Sequence, residues 1–168
     1  MRYCPAYVDF MNAKGNHVTV LGIGNPLCRD DGIGIRLIDE LRSRDIPEGV
    51  ELIDGGTSPD LLSMINPNID VLIIIDALRG KGKPGTLYRL EIHESNISDD
   101  SFTSLHGLGV LDGLKLMKKL GIQPAKVVII GIEPEDTSHG LHLSQQIESR
   151  VPDIVDTVEQ EIRDAILK

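Results

Sequence analysis

The fold of this chain is decided by one stretch, His17-Val-Thr-Val-Leu-Gly-Ile-Gly-Asn-Pro-Leu-Cys-Arg-Asp-Asp-Gly-Ile-Gly34. Residues 17–23 form an apolar run that is typical of a buried parallel strand. A glycine turn follows, and over residues 32–44 the apolar side chains recur at helical spacing. The stretch therefore predicts a strand, a turn and a helix, with two carboxylates, Asp30 and Asp31, where the helix begins.

The position of these two carboxylates favours a bound cation over a bound phosphate. A dinucleotide-binding turn would need a third glycine where this chain has Leu27. A phosphate at the helix start would also meet Asp30 and Asp31. Helix capping is the other explanation, with Asp30 as the cap and Asp31 as a first-turn acid, each contributing about 0.5–2 kcal/mol. Because capping needs only one of the two acids, a functional site stays open as an interpretation.

Length and charge predict a single domain over residues 1–168 that does not bind nucleic acid. The 168 residues suffice for one core, and residues 1–16 show no sustained periodicity, so the domain proper is expected at 17–168. A formal net charge of −9 argues against nucleic acids and anionic membranes as partners. The sequence shows neither a membrane-spanning apolar window nor a signal-peptide core, so we expect a cytoplasmic protein.

Strands and helices alternate along the rest of the chain. Further strands are predicted at residues 50–53, 70–76, 85–91 and 126–132. The strand at 70–76 is the most apolar and is expected at the centre of the sheet, ending at Asp76. The strand at 85–91 alternates apolar and polar residues, which indicates an antiparallel edge strand. This pattern predicts an α/β fold, a three-layer sandwich in which a twisted, mostly parallel sheet of about five strands has helices on both faces.

The intervening segments complete this prediction. A helix is expected to end near residue 65, a second to cover about 105–120, and a long terminal helix to follow Leu143. Pro152 should bend or interrupt that last helix. The polar residues 93–103 are expected to form a surface loop.

Three polar residues are expected to converge at the carboxyl edge of the sheet, where doubly wound folds bind their ligands. These are Asp31 after the first strand, Asp76 at the end of the central strand, and His106 at the start of a helix. Two carboxylates and one imidazole leave coordination positions open and suit zinc or nickel. Asp76 as a turn cap and His106 as an ordinary surface histidine remain the alternatives.

The motifs of this chain, taken in order, resemble the hydrogenase maturation endopeptidases, the proteases that process the large subunits of [NiFe]-hydrogenases. The resemblance covers residues 17–168. It rests on Gly22-Ile-Gly-Asn-Pro-Leu27, Asp30-Asp-Gly-Ile-Gly34, Asp54-Gly-Gly-Thr57, Ile74-Ile-Asp-Ala77, Leu105-His-Gly-Leu108, Gly131-Ile-Glu-Pro-Glu135 and Leu143-Ser144.

This resemblance implies an endopeptidase of aspartic type that recognises nickel in the large-subunit precursor and then removes a C-terminal extension. It implies metal binding by Asp31, Asp76 and His106, with Asp31 and Asp76 also catalytic. The nickel is expected to come from the precursor, and zinc or cadmium can take its place in vitro. Substrate binding is implied for Asp54, Gly55, Gly56 and Thr57, for which turn formation is the alternative. Relatives often carry Glu where this chain has Asp31, which is one methylene shorter.

Two other classes of protein share part of this pattern. A receiver-like phospho-acceptor domain also has an acidic pair after its first strand and an Asp on its third, but it needs a lysine at the last strand, where this chain has Gly-Ile-Glu-Pro after Ile130. A non-catalytic nickel-binding maturation factor would bind metal without shortening the precursor.

Overall fold

The computed structural model describes residues 16–57, 60–92, 103–104 and 107–167. Six strands are present in these ranges: β1 Val18–Gly22, β2 Val50–Asp54, β3 Val71–Arg79, β4 Leu87–Ile92, β5 Thr103–Ser104 and β6 Lys126–Ile132. The helices are α1 Ile33–Leu41, α2 Leu61–Met64, α3 Gly107–Lys119, α4 Gln145–Glu148 and α5 Val151–Ile166. A 3-10 turn, Arg29–Gly32, leads into α1.

The main sheet has five strands in the order β2-β1-β3-β6-β4. β1, β2, β3 and β6 are parallel to their neighbours, and β4 runs antiparallel to β6 at the edge. The two-residue β5 pairs antiparallel with the end of β3. The mostly parallel sheet, the central position of β3 and the antiparallel edge strand are therefore confirmed.

Two apolar clusters show that helices cover both faces of the sheet. One cluster combines α1 and α5 with β1, β3 and β6, and it includes Leu37 and Ile154 from these helices. The other combines α2 and α3 with the opposite face, through residues such as Leu61 and Leu114. The predicted three-layer arrangement is thus confirmed for the described residues.

The end of β3 differs from its prediction. The strand does not end at Asp76 but continues to Arg79, because Ala77 and Leu78 are buried and pair with neighbouring strands. Asp76 instead lies inside the strand, opposite Gly131 of β6. A Cβ at Gly131 would lie 2.7 Å from the Cβ of Leu78, so a glycine is needed where β3 and β6 pack here.

Two other boundaries also depart from the sequence pattern. Thr103 belongs to β5 rather than to a loop, while residues 93–102 of the predicted loop lie outside the described residues. The predicted terminal helix is interrupted, as expected, into α4 and α5. Pro152 sits in the first turn of α5, where a residue without an N–H is tolerated.

Glycines let α1 approach the sheet closely. A Cβ at Gly34 would lie 2.2 Å from the carbonyl oxygen of Ile23 and 2.5 Å from that of Ile75. The first turn of α1 therefore packs directly on the backbone of two strands, just after the end of β1 and one residue before Asp76 in β3. Among the residues that the structure describes, no helix combines the length and the apolar character needed to cross a bilayer.

Candidate functional site

Asp31 and Asp76 lie at the same edge of the sheet. Asp31 is in the 3-10 turn that packs against β3, and Asp76 is on β3 itself. Both side chains are buried, with 6% and 2% of their residue surface exposed. Because Gly34 touches the carbonyl of Ile75, the turn before α1 is held beside the strand that carries Asp76. The structure thus places two of the three predicted metal ligands on neighbouring elements.

The glycine turn that precedes Asp31 fixes its position. The amide of Asn25 donates to the Asp31 carboxylate at 3.2 Å. Gly24 has a φ of +147°, and a Cβ there would lie 1.9 Å from the backbone oxygen of Asp31. Only a residue without a side chain fits this contact, so Gly24 allows the loop to fold back against the acidic turn.

Asp30 has a structural role that the sequence does not reveal. It is fully buried and accepts hydrogen bonds from the amides of Glu135 and Asp136 at 2.9 Å and from the amide and hydroxyl of Ser144 at 2.7 and 2.8 Å. The capping interpretation is wrong, because the N-cap of α1 is Gly32 and no side chain caps it. Asp30 instead fastens the segment after β6 to the 3-10 turn.

The segment Asp54 to Thr57 forms a turn at the same edge. The amide of Gly56 donates to the Asp54 carboxylate at 2.9 Å. This bond is typical of turn formation, the alternative to substrate binding that the sequence left for this segment. The amide of Gly55 donates to Gly22, and the amide of Gly24 donates to Gly56. These bonds join the turn to the loop that leads to Asp31, and Asp54 and Thr57 are exposed. Substrate binding by Asp54, Gly55, Gly56 and Thr57 stays a prediction.

His106, the third predicted ligand, lies outside the described residues. Within the described ranges, no three His, Cys, Asp or Glu side chains are grouped as a metal site would require. Two buried carboxylates at one edge are nevertheless donors of the kind that divalent ions use. The role of Asp31, Asp76 and His106 as a ligand set therefore stays a prediction.

Glu133 organises the neighbouring connection between β3 and β4. Its carboxylate accepts from the hydroxyl of Tyr88 at 2.6 Å and from the amides of Gly80 and Gly82 at 2.7 and 3.2 Å. Burial by itself raises the pKa of Glu133, but the hydrogen bonds from Tyr88 and the two amides outweigh it, so the pKa lies below its ordinary value. The hydrogen bond to Glu133 raises the pKa of Tyr88.

Cys28, the residue before the 3-10 turn, lies beside the side chain of His139. Its Sγ is 3.7 Å from Nδ1 of His139 and accepts a hydrogen bond from Nδ2 of Asn25 at 3.4 Å. A single β-bridge pairs Cys28 with Gly140. His139 lies in the loop before α4, and Cys28 is a free thiol.

The sequence analysis missed the roles of Asp30, Glu133 and Ser144. Two sequence signals could have indicated the roles of Asp30 and Glu133. Asp30 is one of two adjacent acids where a helix cap needs only one, and Glu133 directly follows an apolar strand. Their partners are 45 to 114 residues away along the chain, so only the folded structure identifies them.

Comparisons with known proteins agree with this fold. A mostly parallel sheet with helices on both faces defines an α/β protein, a class in which ligands bind at the carboxyl edge of the strands. A family model described as hydrogenase maturation protease matches residues 35–161. The hydrogenase 2 maturation protease of Escherichia coli is 33% identical over 150 residues, which are 88% of this chain and 92% of that protein.

Two further comparisons extend this result. The hydrogenase expression/formation protein HoxM of Azotobacter vinelandii is 36% identical over 71% of this chain, which spans 59% of that protein's length. The solved structure of the hydrogenase maturating endopeptidase HybD from E. coli superposes with a TM-score of 0.77 at 32% identity, covering 88% of this chain and 93% of that one. The chain belongs to the hydrogenase maturation protease family and is a peptidase.

Proposed function

We propose that this protein is an endopeptidase that recognises nickel in the precursor of a [NiFe]-hydrogenase large subunit and removes the precursor's C-terminal extension. Membership of the hydrogenase maturation proteases supports the peptidase activity and the type of substrate. The observation that carries the site assignment is the position of Asp31 and Asp76, two buried carboxylates on adjoining elements at one edge of the sheet.

In this proposal the nickel is part of the substrate. Asp31, Asp76 and His106 bind it while its site in the precursor is still open, so that the protease acts only on a precursor that has received its metal. An empty precursor lacks the ligand that these side chains bind. Recognition of the metal and positioning of the peptide are then one event.

Cleavage is hydrolysis of one peptide bond by water. The water oxygen attacks the carbonyl carbon, the C–N bond breaks, and the new amine takes a proton. We assign proton acceptance from water to the Asp31 and Asp76 pair, because both carboxylates lie at the edge of the sheet where the peptide would bind. The turn at Asp54 to Thr57 borders the same edge and offers peptide groups for binding an extended substrate.

The test is incubation with a nickel-loaded large-subunit precursor, followed by mass spectrometry. We expect the wild-type chain to remove a C-terminal peptide, and Asp31→Ala, Asp76→Ala and His106→Ala to reduce the rate by at least about a hundredfold. Asp164→Ala is the matched control, since Asp164 is an exposed aspartate on α5. A nickel-free precursor should stay intact.

Each possible result has a distinct meaning. Equal cleavage by all variants would overturn the site assignment. Metal binding without any change in the mass of the precursor would favour the non-catalytic maturation factor. Labelling of Asp76 by acetyl phosphate would favour the receiver-like domain.

A further inference from the structure

A groove of about 440 Å³ lies beside the acidic turn on the outer side of α1. Its lining includes Pro26, Arg29, Ile35, Arg36, Leu141 and Leu143. The volume is within the range of pockets that hold small ligands or a few peptide residues. None of these side chains has a part in the site described above.

The groove adjoins the turn that carries Asp31. Arg29 and Gly32 line it and belong to the same 3-10 turn as Asp31. An extended peptide advances about 3.3 Å per residue. A substrate whose cleaved bond lies near Asp31 therefore reaches this groove within a few residues.

The groove presents apolar surface that a folded chain normally hides. Leu141 lines it with 73% of its surface exposed, and Leu27 on the adjoining segment is 59% exposed. The two segments are joined by hydrogen bonds from the Gly140 amide to Leu27 and from the Arg29 amide to Gly140. Exposed apolar side chains held on paired backbone are a feature of binding surfaces.

Two guanidinium groups complete the groove. Arg29 adopts a φ of +48°, which is unusual for a residue with a long side chain. A Cβ at Gly140 would lie 2.9 Å from Nε of Arg29, so the glycine makes room for this side chain. Arg29 pairs with Asp136 at 3.2 Å through half-exposed groups, and such surface pairs are weak enough to exchange for another carboxylate.

Arg36 contributes the second positive charge. It pairs with Glu40 and with Glu148, and the hydrogen bond to Glu40 raises the pKa of Arg36. Asp39 and Glu148 also line the groove, so its charges balance. Arg29, whose pair with Asp136 is weak, is the group that can exchange its partner for a peptide carboxylate.

We propose that this groove binds the precursor's C-terminal extension, the peptide on the carboxyl side of the cleaved bond, with an apolar side chain against Leu141 and a carboxylate near Arg29. The inference rests on the proposed function, since it places the leaving part of that substrate. It identifies Leu141 as a specificity determinant outside the acidic site.

The test compares Leu141→Asp with Leu120→Asp in steady-state processing of the nickel-loaded precursor. Leu120 is the matched control, because it is 60% exposed just after α3 and does not line the groove. We expect Leu141→Asp to raise KM about tenfold with little change in kcat, and Leu120→Asp to behave as the wild type. On a precursor whose extension is replaced by Gly and Ser residues of equal number, all three proteins should share the raised KM.

Equal KM values for the two variants on the native precursor would overturn the groove while leaving the proposed function intact. Failure of the wild-type chain to shorten the precursor would count against the proposed function instead. Sedimentation of the three proteins without substrate provides a separate check. A dimer that Leu141→Asp dissociates and Leu120→Asp does not would assign the groove to a second copy of the chain, which also overturns the inference.

Discussion

Adjacent aspartates in this chain have different surroundings. Asp30 faces the segment after β6 and accepts four hydrogen bonds, from Glu135, Asp136 and both donors of Ser144. Asp31 faces the glycine turn and accepts from Asn25 at the edge of the sheet. One acid of the pair therefore holds the loop together, while the other lies at the edge of the sheet where the site is proposed.

We expect Asp30→Ala to lower the free energy of unfolding by about 2–4 kcal/mol, because it leaves several buried donors without acceptors. Asp39→Ala, which removes only an exposed partner of Arg42, should change it by less than about 0.5 kcal/mol. Urea unfolding followed by circular dichroism measures both values. If Asp30→Ala does not fold, Asp30→Asn keeps the volume and one acceptor and should fall between the two. Equal unfolding midpoints for all proteins would contradict the structural role of Asp30.

At the scale of elements, Glu133 connects β6 with the chain between β3 and β4. Its amide donates to Thr86 and its carbonyl accepts from Gly85, so backbone and side chain both take part. The carboxylate adds the bonds from Tyr88, Gly80 and Gly82. β4 can therefore lie at the edge beside β6 although its sequence neighbour is β3.

This arrangement makes stability depend on pH in a defined direction. The pKa of Glu133 in the folded chain is below the ordinary value of 4.5 that applies when the chain is unfolded. Its contribution to stability is thus fully present above that ordinary value and is lost as the pH falls through the folded pKa. Chemical unfolding between about pH 7 and pH 3 should show a steeper loss for the wild type than for Glu133→Gln.

The control for this measurement is Glu135→Gln, an exposed glutamate two residues further on. Its stability profile should follow the wild type across the acid range. A Glu133→Gln profile parallel to the wild type would contradict the assignment of this pH dependence to Glu133.

The strands and helices with strong local patterns could be predicted from the sequence. β6 has the bounds expected from its apolar run, and β1 differs from its prediction by one residue at each end. β3 extends beyond Asp76 because Ala77 and Leu78 are buried and pair with neighbouring strands. The sequence could not show the partners of Asp30, because they depend on which loops meet in the fold.

For the molecule as a whole, the two ends of the described chain meet. The side chain of Asn16 donates to the carbonyl of Ala165 at 2.8 Å. The apolar core begins at Val18 and ends at Ala165, so residues 16–167 contain every core position among the described residues. The domain boundaries predicted at residues 17–168 stay a prediction, as does the position of residues 1–16 outside that domain.

A chain that begins at Asn16 should therefore unfold within about 1 kcal/mol of the full chain, since the change removes no described core position. A chain that ends at Leu143 should show no cooperative unfolding, because it loses α4 and α5. Seven fully or almost fully buried side chains would go with them: Ile147, Val151, Ile154, Val155, Val158, Ile162 and Ala165. Burial of a large aliphatic side chain contributes about 1.5–3 kcal/mol, so their sum reaches the whole stability of an ordinary domain, about 5–15 kcal/mol. Denaturant unfolding of both shortened chains measures this, and marked destabilisation of the first would mean that residues 1–15 belong to the domain.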